Sequence, residues 1–149
     1  MSTLTLLFIT SLAPLIAFVS IWLLPKEKRT AAPAIGVLGC FIPLIASILL
    51  AKDFVEVNGH SPLLYEISWL PLEQVRLSVG FFVDQLNLVT LVIVTSISFF
   101  VQIFSVAYMY NDESRPRYFS FLSFFVFAMI NLVVASNLLQ TYLFWELVG

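Results

Sequence analysis

The sequence predicts an all-α integral membrane protein with four full transmembrane helices, the start of a fifth, and a small β-hairpin in the outer loop between helices two and three. Two observations carry this prediction. Hydrophobic residues make up 60% of the 149 residues and charged residues only 11%, less than half of the roughly 25% usual in soluble domains. The charges are also grouped between apolar runs that have the length of membrane spans.

The first two predicted helices flank a basic loop. Residues 4–24 are mostly apolar and carry no charge, and about 20 such residues cross a ~30 Å hydrocarbon core. The basic cluster at 26–29 follows this run, whereas a cleaved signal peptide has its basic residues before the apolar run. We therefore expect a retained helix, with the second helix at 32–51.

The longest polar connection, 52–80, contains the predicted hairpin. Residues 64–70 and 75–81 alternate apolar and polar side chains on either side of Pro71–Gln74. A period of two that is broken by a proline turn is typical of two paired strands. We expect this hairpin to lie outside the membrane.

Three further helices are predicted at 82–110, 118–135 and 137–149, separated by the charged loop 111–117 and a short polar break. A helix over 137–149 would rise only ~20 Å, too short to cross a bilayer. We therefore expect a single transmembrane module that is either a fragment of a longer protein or has its fifth helix completed by something else.

The distribution of Lys and Arg predicts the orientation. Basic residues are concentrated in the first and third loops, at 26–29 and 115–117, and are sparse in the hairpin loop. The positive-inside rule then places the N-terminus and the hairpin on the outer, periplasmic side of a bacterial inner membrane, or on the equivalent side of an organelle inner or thylakoid membrane. A net charge of −2 gives no reason to expect a nucleic-acid partner.

Glu146 is the most informative polar residue, because it is predicted about 14 Å along the fifth helix from Asn137. A charge at that depth costs several kcal/mol, so the carboxyl must be neutral or matched by a cation from outside this chain. Tyr142, one turn earlier, could donate a hydrogen bond to it. Three interpretations stay open: a proton-carrying carboxylate, a protonated interhelical hydrogen-bond donor, and a residue near the membrane interface.

The third helix carries the other polar candidates. Asp84, at its start, is either a second proton-path acid or a simple helix cap. A narrow polar stripe follows on one face, formed by Asn87, Thr95, Ser98, Gln102 and Ser105. Such a stripe faces the bundle interior, either as a hydrated path or as a packing surface of small hydroxyl residues.

Several chemistries are excluded by the residue inventory. The chain has one cysteine, Cys40, and one histidine, His60, which lies in a loop. These cannot form a Cys/His metal site or ligate a haem within the membrane. There is no glycine-rich phosphate loop, so we expect no cofactor and no metal in this chain.

Three segments resemble one family: Gly80-Phe-Phe-Val-Asp-Gln-Leu-Asn87, Tyr108-Met-Tyr-Asn-Asp-Glu-Ser-Arg-Pro-Arg-Tyr-Phe119 and Asn137-Leu-Leu-Gln-Thr-Tyr-Leu-Phe-Trp-Glu-Leu-Val-Gly149. They resemble the N-terminal part of the antiporter-like, proton-pumping subunit of respiratory complex I. This family comprises the L-type subunit of bacterial NADH–quinone oxidoreductase, its mitochondrial counterpart of type 5 and the F-type subunit of photosynthetic NDH. The resemblance is specific over about the last 70 residues. Before them it extends only to helix layout, the basic first loop and the outer hairpin.

This resemblance implies a function. The chain would be part of a proton-translocating subunit of an NADH– or ferredoxin–quinone oxidoreductase, an enzyme subunit without redox chemistry of its own. Glu146 would be the proton-path carboxylate that pairs with a lysine on a later helix, and Asp84 would have a less defined role. NADH, flavin, iron–sulfur clusters and quinone would lie on other subunits. The partners would be the lipid bilayer, other membrane-arm subunits and the missing C-terminal helices.

Two alternatives remain open. The A-type component of multi-subunit Na⁺/H⁺ antiporters shares the Trp-Glu pair but tends to follow it differently. A structural or assembly piece of a split subunit would have no transport activity of its own.

Overall fold

A computed structural model of the protein describes residues 2–57, 61–71 and 76–149. Its elements in chain order are α1 Thr3–Trp22, a 3₁₀ helix Lys26–Ala31, α2 Ala32–Val57, β1 Leu63–Pro71, β2 Arg76–Val83, α3 Gln85–Tyr108, α4 Arg115–Val133 and α5 Leu138–Val148. Four of the described helices, α1 to α4, are long and apolar enough to cross a membrane. The predicted fold class is therefore confirmed.

Close contact between α1 and α2 organises the first half of the bundle. Gly39 of α2 faces Ala17 of α1 so closely that a Cβ added to the glycine would lie 2.3 Å from the alanine Cβ. Small residues at a crossing let two membrane helices approach closely and gain packing energy. Where the start of α1 meets the last turns of α2, the Thr3 hydroxyl donates a hydrogen bond to the Asp53 carboxylate over 3.1 Å.

The bundle has two distinct ends. One, which we call the hairpin end, brings together the start of α1, the end of α2, the β-hairpin, the start of α3 and the junction between α4 and α5. The other, the loop end, carries the 3₁₀ helix and the connection between α3 and α4. In that connection the pKa of Asp112 is lowered because its carboxylate accepts hydrogen bonds from the Ser114 hydroxyl and backbone N–H.

The buried apolar residues form two clusters. The larger one joins all four long helices and the end of β2, with Leu7, Leu50, Phe54, Leu91 and Ile130 among its most buried members. A smaller cluster around Phe119 closes the loop end. On its outer face α3 exposes a row of large apolar side chains: Leu86, Val89, Ile93, Ile97, Phe100 and Phe104. Such a face is suited to lipid or to further helices.

The helix boundaries differ from the sequence prediction by three residues or more at three ends. The fourth helix begins at Arg115, inside the predicted loop, and not at residue 118, because Pro116 is suited to the first turn of a helix. The second helix does not end at residue 51 but continues to Val57, because its last turns are amphipathic and an exposed Lys52–Glu56 pair at i,i+4 supports them. The third helix begins at Gln85, not at residue 82, because Phe82 and Val83 complete β2.

The hairpin is present as predicted. Its strands are antiparallel, with Leu63 opposite Val83 and Glu66 opposite Gly80. The predicted turn at Pro71–Gln74 and the first residue of the predicted second strand, Val75, lie largely outside the described residues.

Candidate functional site

The fifth helix carries the candidate acid and begins at a well-formed cap. Asn137 has an extended backbone, and its side-chain oxygen accepts a hydrogen bond from the Gln140 N–H over 2.9 Å. This satisfies one of the free N–H groups of the first turn. The helix then packs against α4, where Phe144 meets Phe127 edge to face with ring centroids 5.8 Å apart.

Glu146 lies on the outward face of this helix. Its side chain is exposed on the surface of the described bundle, between the exposed Trp145 and Leu147. Tyr142 is also exposed, at 60%, and within the described part of the chain no hydrogen bond joins its hydroxyl to Glu146. The predicted Tyr142 contact is thus not formed here. The Glu146 side chain is therefore not buried against α1 to α4.

Asp84 caps the third helix. Its carboxylate accepts a hydrogen bond from the Asn87 N–H over 2.7 Å, and the Asn87 amide in turn donates to the Phe82 carbonyl over 3.0 Å. The side chain is half-buried at the hairpin end. This geometry favours the capping interpretation of Asp84, and Asn87 serves to join the helix to β2.

The polar stripe of α3 faces neighbouring helices. Thr95, Gln102 and Ser105 are each at most 1% exposed, while Asn87 and Ser98 are half-buried. The Thr95 hydroxyl lies 2.9 Å from that of Ser47 on α2, and the Ser105 hydroxyl lies 3.0 Å from that of Tyr118 on α4.

Gln102 is the least satisfied member of the stripe. Its side-chain nitrogen donates to the Ser123 hydroxyl over 3.3 Å, while its oxygen is buried without a hydrogen bond from any described residue. Gly36 of α2 leaves the room for it, because a Cβ there would lie 3.1 Å from that oxygen. Contacts this close favour the packing interpretation of the stripe.

Sequence reasoning missed several polar contacts between elements. The Ser11 hydroxyl donates to the Asn131 side chain over 2.8 Å and so joins α1 to α4 inside the bundle. Gln140 is 4% exposed, and its amide binds both backbone groups of Gly80. The only available signal for Gln140 was its position three residues after a helix-capping asparagine, which does not reveal a partner 60 residues away.

Among the residues that the structure describes, no group of three or more His, Cys, Asp or Glu side chains is arranged to hold a metal ion. The fold and the site define a multi-pass helical membrane protein. The polar stripe of α3 lies between its helices, and a carboxyl group lies part-way along its fifth helix.

Comparisons with known proteins identify the family within this class of membrane proteins. The family model described as NADH-Ubiquinone oxidoreductase (complex I), chain 5 N-terminus, matches residues 69–119. NAD(P)H-quinone oxidoreductase subunit 5 of the Anthoceros angustus chloroplast is 35% identical over 147 residues, which cover 95% of this chain and 20% of the relative. NAD(P)H-quinone oxidoreductase chain 5 of Synechocystis sp. is 36% identical over 124 residues, or 83% of this chain and 18% of the relative.

A solved structure agrees on the fold. One chain of the membrane-bound sulfane sulfur reductase, an archaeal respiratory membrane complex, superimposes with a TM-score of 0.71 at 20% identity, covering 96% of this chain and 21% of that chain.

The predicted resemblance is confirmed: this chain corresponds to the N-terminal part of chain 5-type subunits. It spans about one-fifth of the length of the curated relatives it matches.

Proposed function

We propose that this chain is the N-terminal part of a proton-translocating, antiporter-like subunit of a complex I-type quinone oxidoreductase. In this role it couples quinone reduction, carried out on other subunits, to proton movement through the membrane arm. The N-terminus and the hairpin lie on the outer side of the membrane. Glu146 is the carboxylate of the proton path in this part of the subunit.

The observation that carries the proposal is the sequence match to chain 5-type subunits along nearly the whole chain, together with the position of Glu146. Its side chain is exposed on the surface of the described bundle, on a helix that the sequence predicts to lie at membrane depth. A charged group on such a surface requires a partner, because an unpaired charge in hydrocarbon costs about 2.5 kcal/mol or more. Further helices of the same assembly that pack on this face of α5 would supply it.

A cation on those helices gives Glu146 its mechanism. An opposite charge within ~4–6 Å of a carboxyl favours the ionised form. Approach of the cation therefore releases the proton from Glu146, and its withdrawal lets the carboxyl take up the next one. Redox-driven motion of that cation would make proton release directional.

The test is Glu146→Gln in the complete enzyme, reconstituted into sealed vesicles. Glutamine keeps the shape and hydrogen-bonding capacity of the carboxyl but cannot exchange a proton. We expect protons moved per quinone reduced to fall severalfold, measured with a pH-sensitive dye alongside quinone reduction. The matched control is Glu113→Gln, the same change at an exposed acid in the loop between α3 and α4.

Two results would contradict the proposal. An unchanged proton-to-quinone ratio in the Glu146 variant would remove this residue from the path. Transport that depends on Na⁺ and continues without electron donor or quinone would instead identify a cation/proton antiporter.

A further inference from the structure

Strand β2 forms hydrogen bonds along the edge that faces away from β1, and its partners lie at the junction between α4 and α5. Alternate residues of β2 direct their backbone N–H and C=O groups to this edge. The Ser78 carbonyl accepts from the Asn137 side chain over 2.7 Å, and the Phe82 N–H donates to the Val134 carbonyl over 2.9 Å. The junction between α4 and α5 thus takes the place of a third strand on this edge.

Gln140 makes the central contact of this junction. Its side-chain oxygen accepts from the Gly80 N–H and its nitrogen donates to the Gly80 carbonyl, each over 3.0 Å. The planar amide therefore pairs with Gly80 as a backbone peptide group would. Both residues are buried, so breaking this pair would leave polar groups without partners in an apolar setting.

These contacts fix α5 relative to the rest of the molecule. Asn137 and Gln140 attach the first turn of the helix to β2, and Phe144 rests on Phe127 one turn later. Glu146 follows Gln140 by six residues of continuous helix, a rise of about 9 Å. Sliding or rotating α5 enough to move Glu146 would break both hydrogen bonds to Gly80.

We propose that the edge of β2 that faces away from β1 sets the depth and rotation of α5, so that the outer hairpin controls where Glu146 meets its charge partner. Gln140 is the positioning residue of this arrangement and has no contact with the transported proton. The part that concerns Glu146 rests on the proposed function. The anchoring of α5 stands on the hydrogen bonds alone.

The first measurement tests the anchor. Hydrogen exchange of the α5 amides is compared in the complete enzyme between the native protein, Gln140→Leu and the control Thr141→Val. Thr141 neighbours Gln140, but among the described residues its hydroxyl donates a hydrogen bond only to the Asn137 carbonyl at the start of the same helix. We expect α5 exchange to rise at least about tenfold in Gln140→Leu, because two buried hydrogen bonds are lost, and to stay near native in Thr141→Val.

The second measurement connects the anchor to Glu146. In vesicles, Gln140→Leu should lower protons moved per quinone reduced at least twofold and shift the pH dependence of pumping, while the amount of assembled enzyme stays near native. Gln140→Glu should recover pumping as the pH falls, because the introduced carboxyl, once protonated, again offers a donor and an acceptor to Gly80. A merely structural role would lower assembly and all activities in proportion, without this rescue.

The outcomes separate the two proposals. Native α5 exchange in Gln140→Leu would overturn the anchor, whatever the pumping result. In a second outcome, Gln140→Leu loosens α5 but leaves the proton-to-quinone ratio unchanged, while Glu146→Gln lowers that ratio. This result would overturn the positioning role and leave the proposed function standing. Loosened α5 with no effect of Glu146→Gln would overturn the proposed function and the link to Glu146, and leave the anchor.

Discussion

Exchanging two residues at the crossing of α1 and α2 gives the sharpest test of how the bundle is packed. In Gly39→Ala the new methyl carbon would lie 2.3 Å from the Cβ of Ala17, whereas carbon atoms in contact prefer about 3.5–4.0 Å. The helices must therefore separate locally by about 1.5 Å, an overpacking that costs about 1–3 kcal/mol.

Two opposing terms determine the change in unfolding free energy in Gly39→Ala. Alanine is the better helix former by about 1 kcal/mol, which offsets part of the clash and leaves a net destabilisation of about 0–2 kcal/mol, centred on about 1 kcal/mol. Ala17→Gly alone should cost about 1 kcal/mol through the same propensity term. The double variant exchanges one glycine and one alanine between facing helices, so its unfolding free energy should return close to that of the native chain.

The assay is denaturant-induced unfolding of the chain in mild detergent micelles, followed by circular dichroism for the native protein, both single variants and the double variant. The interaction term of this cycle should be about 2 kcal/mol in favour of the double variant, as expected for residues in direct contact. Additive losses in the double variant would show that α1 and α2 do not meet at Gly39 and Ala17, and would refute the packing argument.

Two further predictions concern α3. Asp84→Ala should destabilise the first turn by about 1 kcal/mol, seen as faster hydrogen exchange there, while Asp84→Asn keeps the acceptor for the Asn87 N–H; equal fraying in both variants would rule out the cap. Gln102→Leu should change the unfolding free energy by less than about 1 kcal/mol, because it removes a buried oxygen that lacks a hydrogen bond together with its weakly bonded amide. Gln102→Ala should cost about 2 kcal/mol or more through the cavity it leaves, and equal losses in the two variants would contradict the packing role of the stripe.

The sequence predicts well what depends on local pattern. The spans around α1 to α4 follow from apolar length, and the hairpin follows from the alternation in residues 64–70 and 75–81. The burial of Thr95 and Ser105 follows from their common helix face. Each of these signals is contained in a stretch of chain no longer than the element it predicts.

The sequence does not predict contacts that join distant elements. The extension of α2 to Val57 lies beyond the apolar run, where apolar length gives no signal. The pairing of Gln140 with Gly80 joins residues 60 positions apart, and a polar residue in the first turn of a helix is usually solvated or a cap. The exposure of Glu146 depends on how α5 packs against α4, which residue spacing within α5 does not determine.

The central claim, that Glu146 exchanges a proton during turnover, is tested most directly by infrared difference spectroscopy of the complete enzyme on addition of electron donor and quinone. We predict a carboxyl C=O stretching band that appears or disappears with turnover, shifts in D₂O, and is lost in Glu146→Gln but kept in Glu113→Gln. A difference spectrum in the carboxyl region that is the same for the native enzyme and Glu146→Gln would contradict the account.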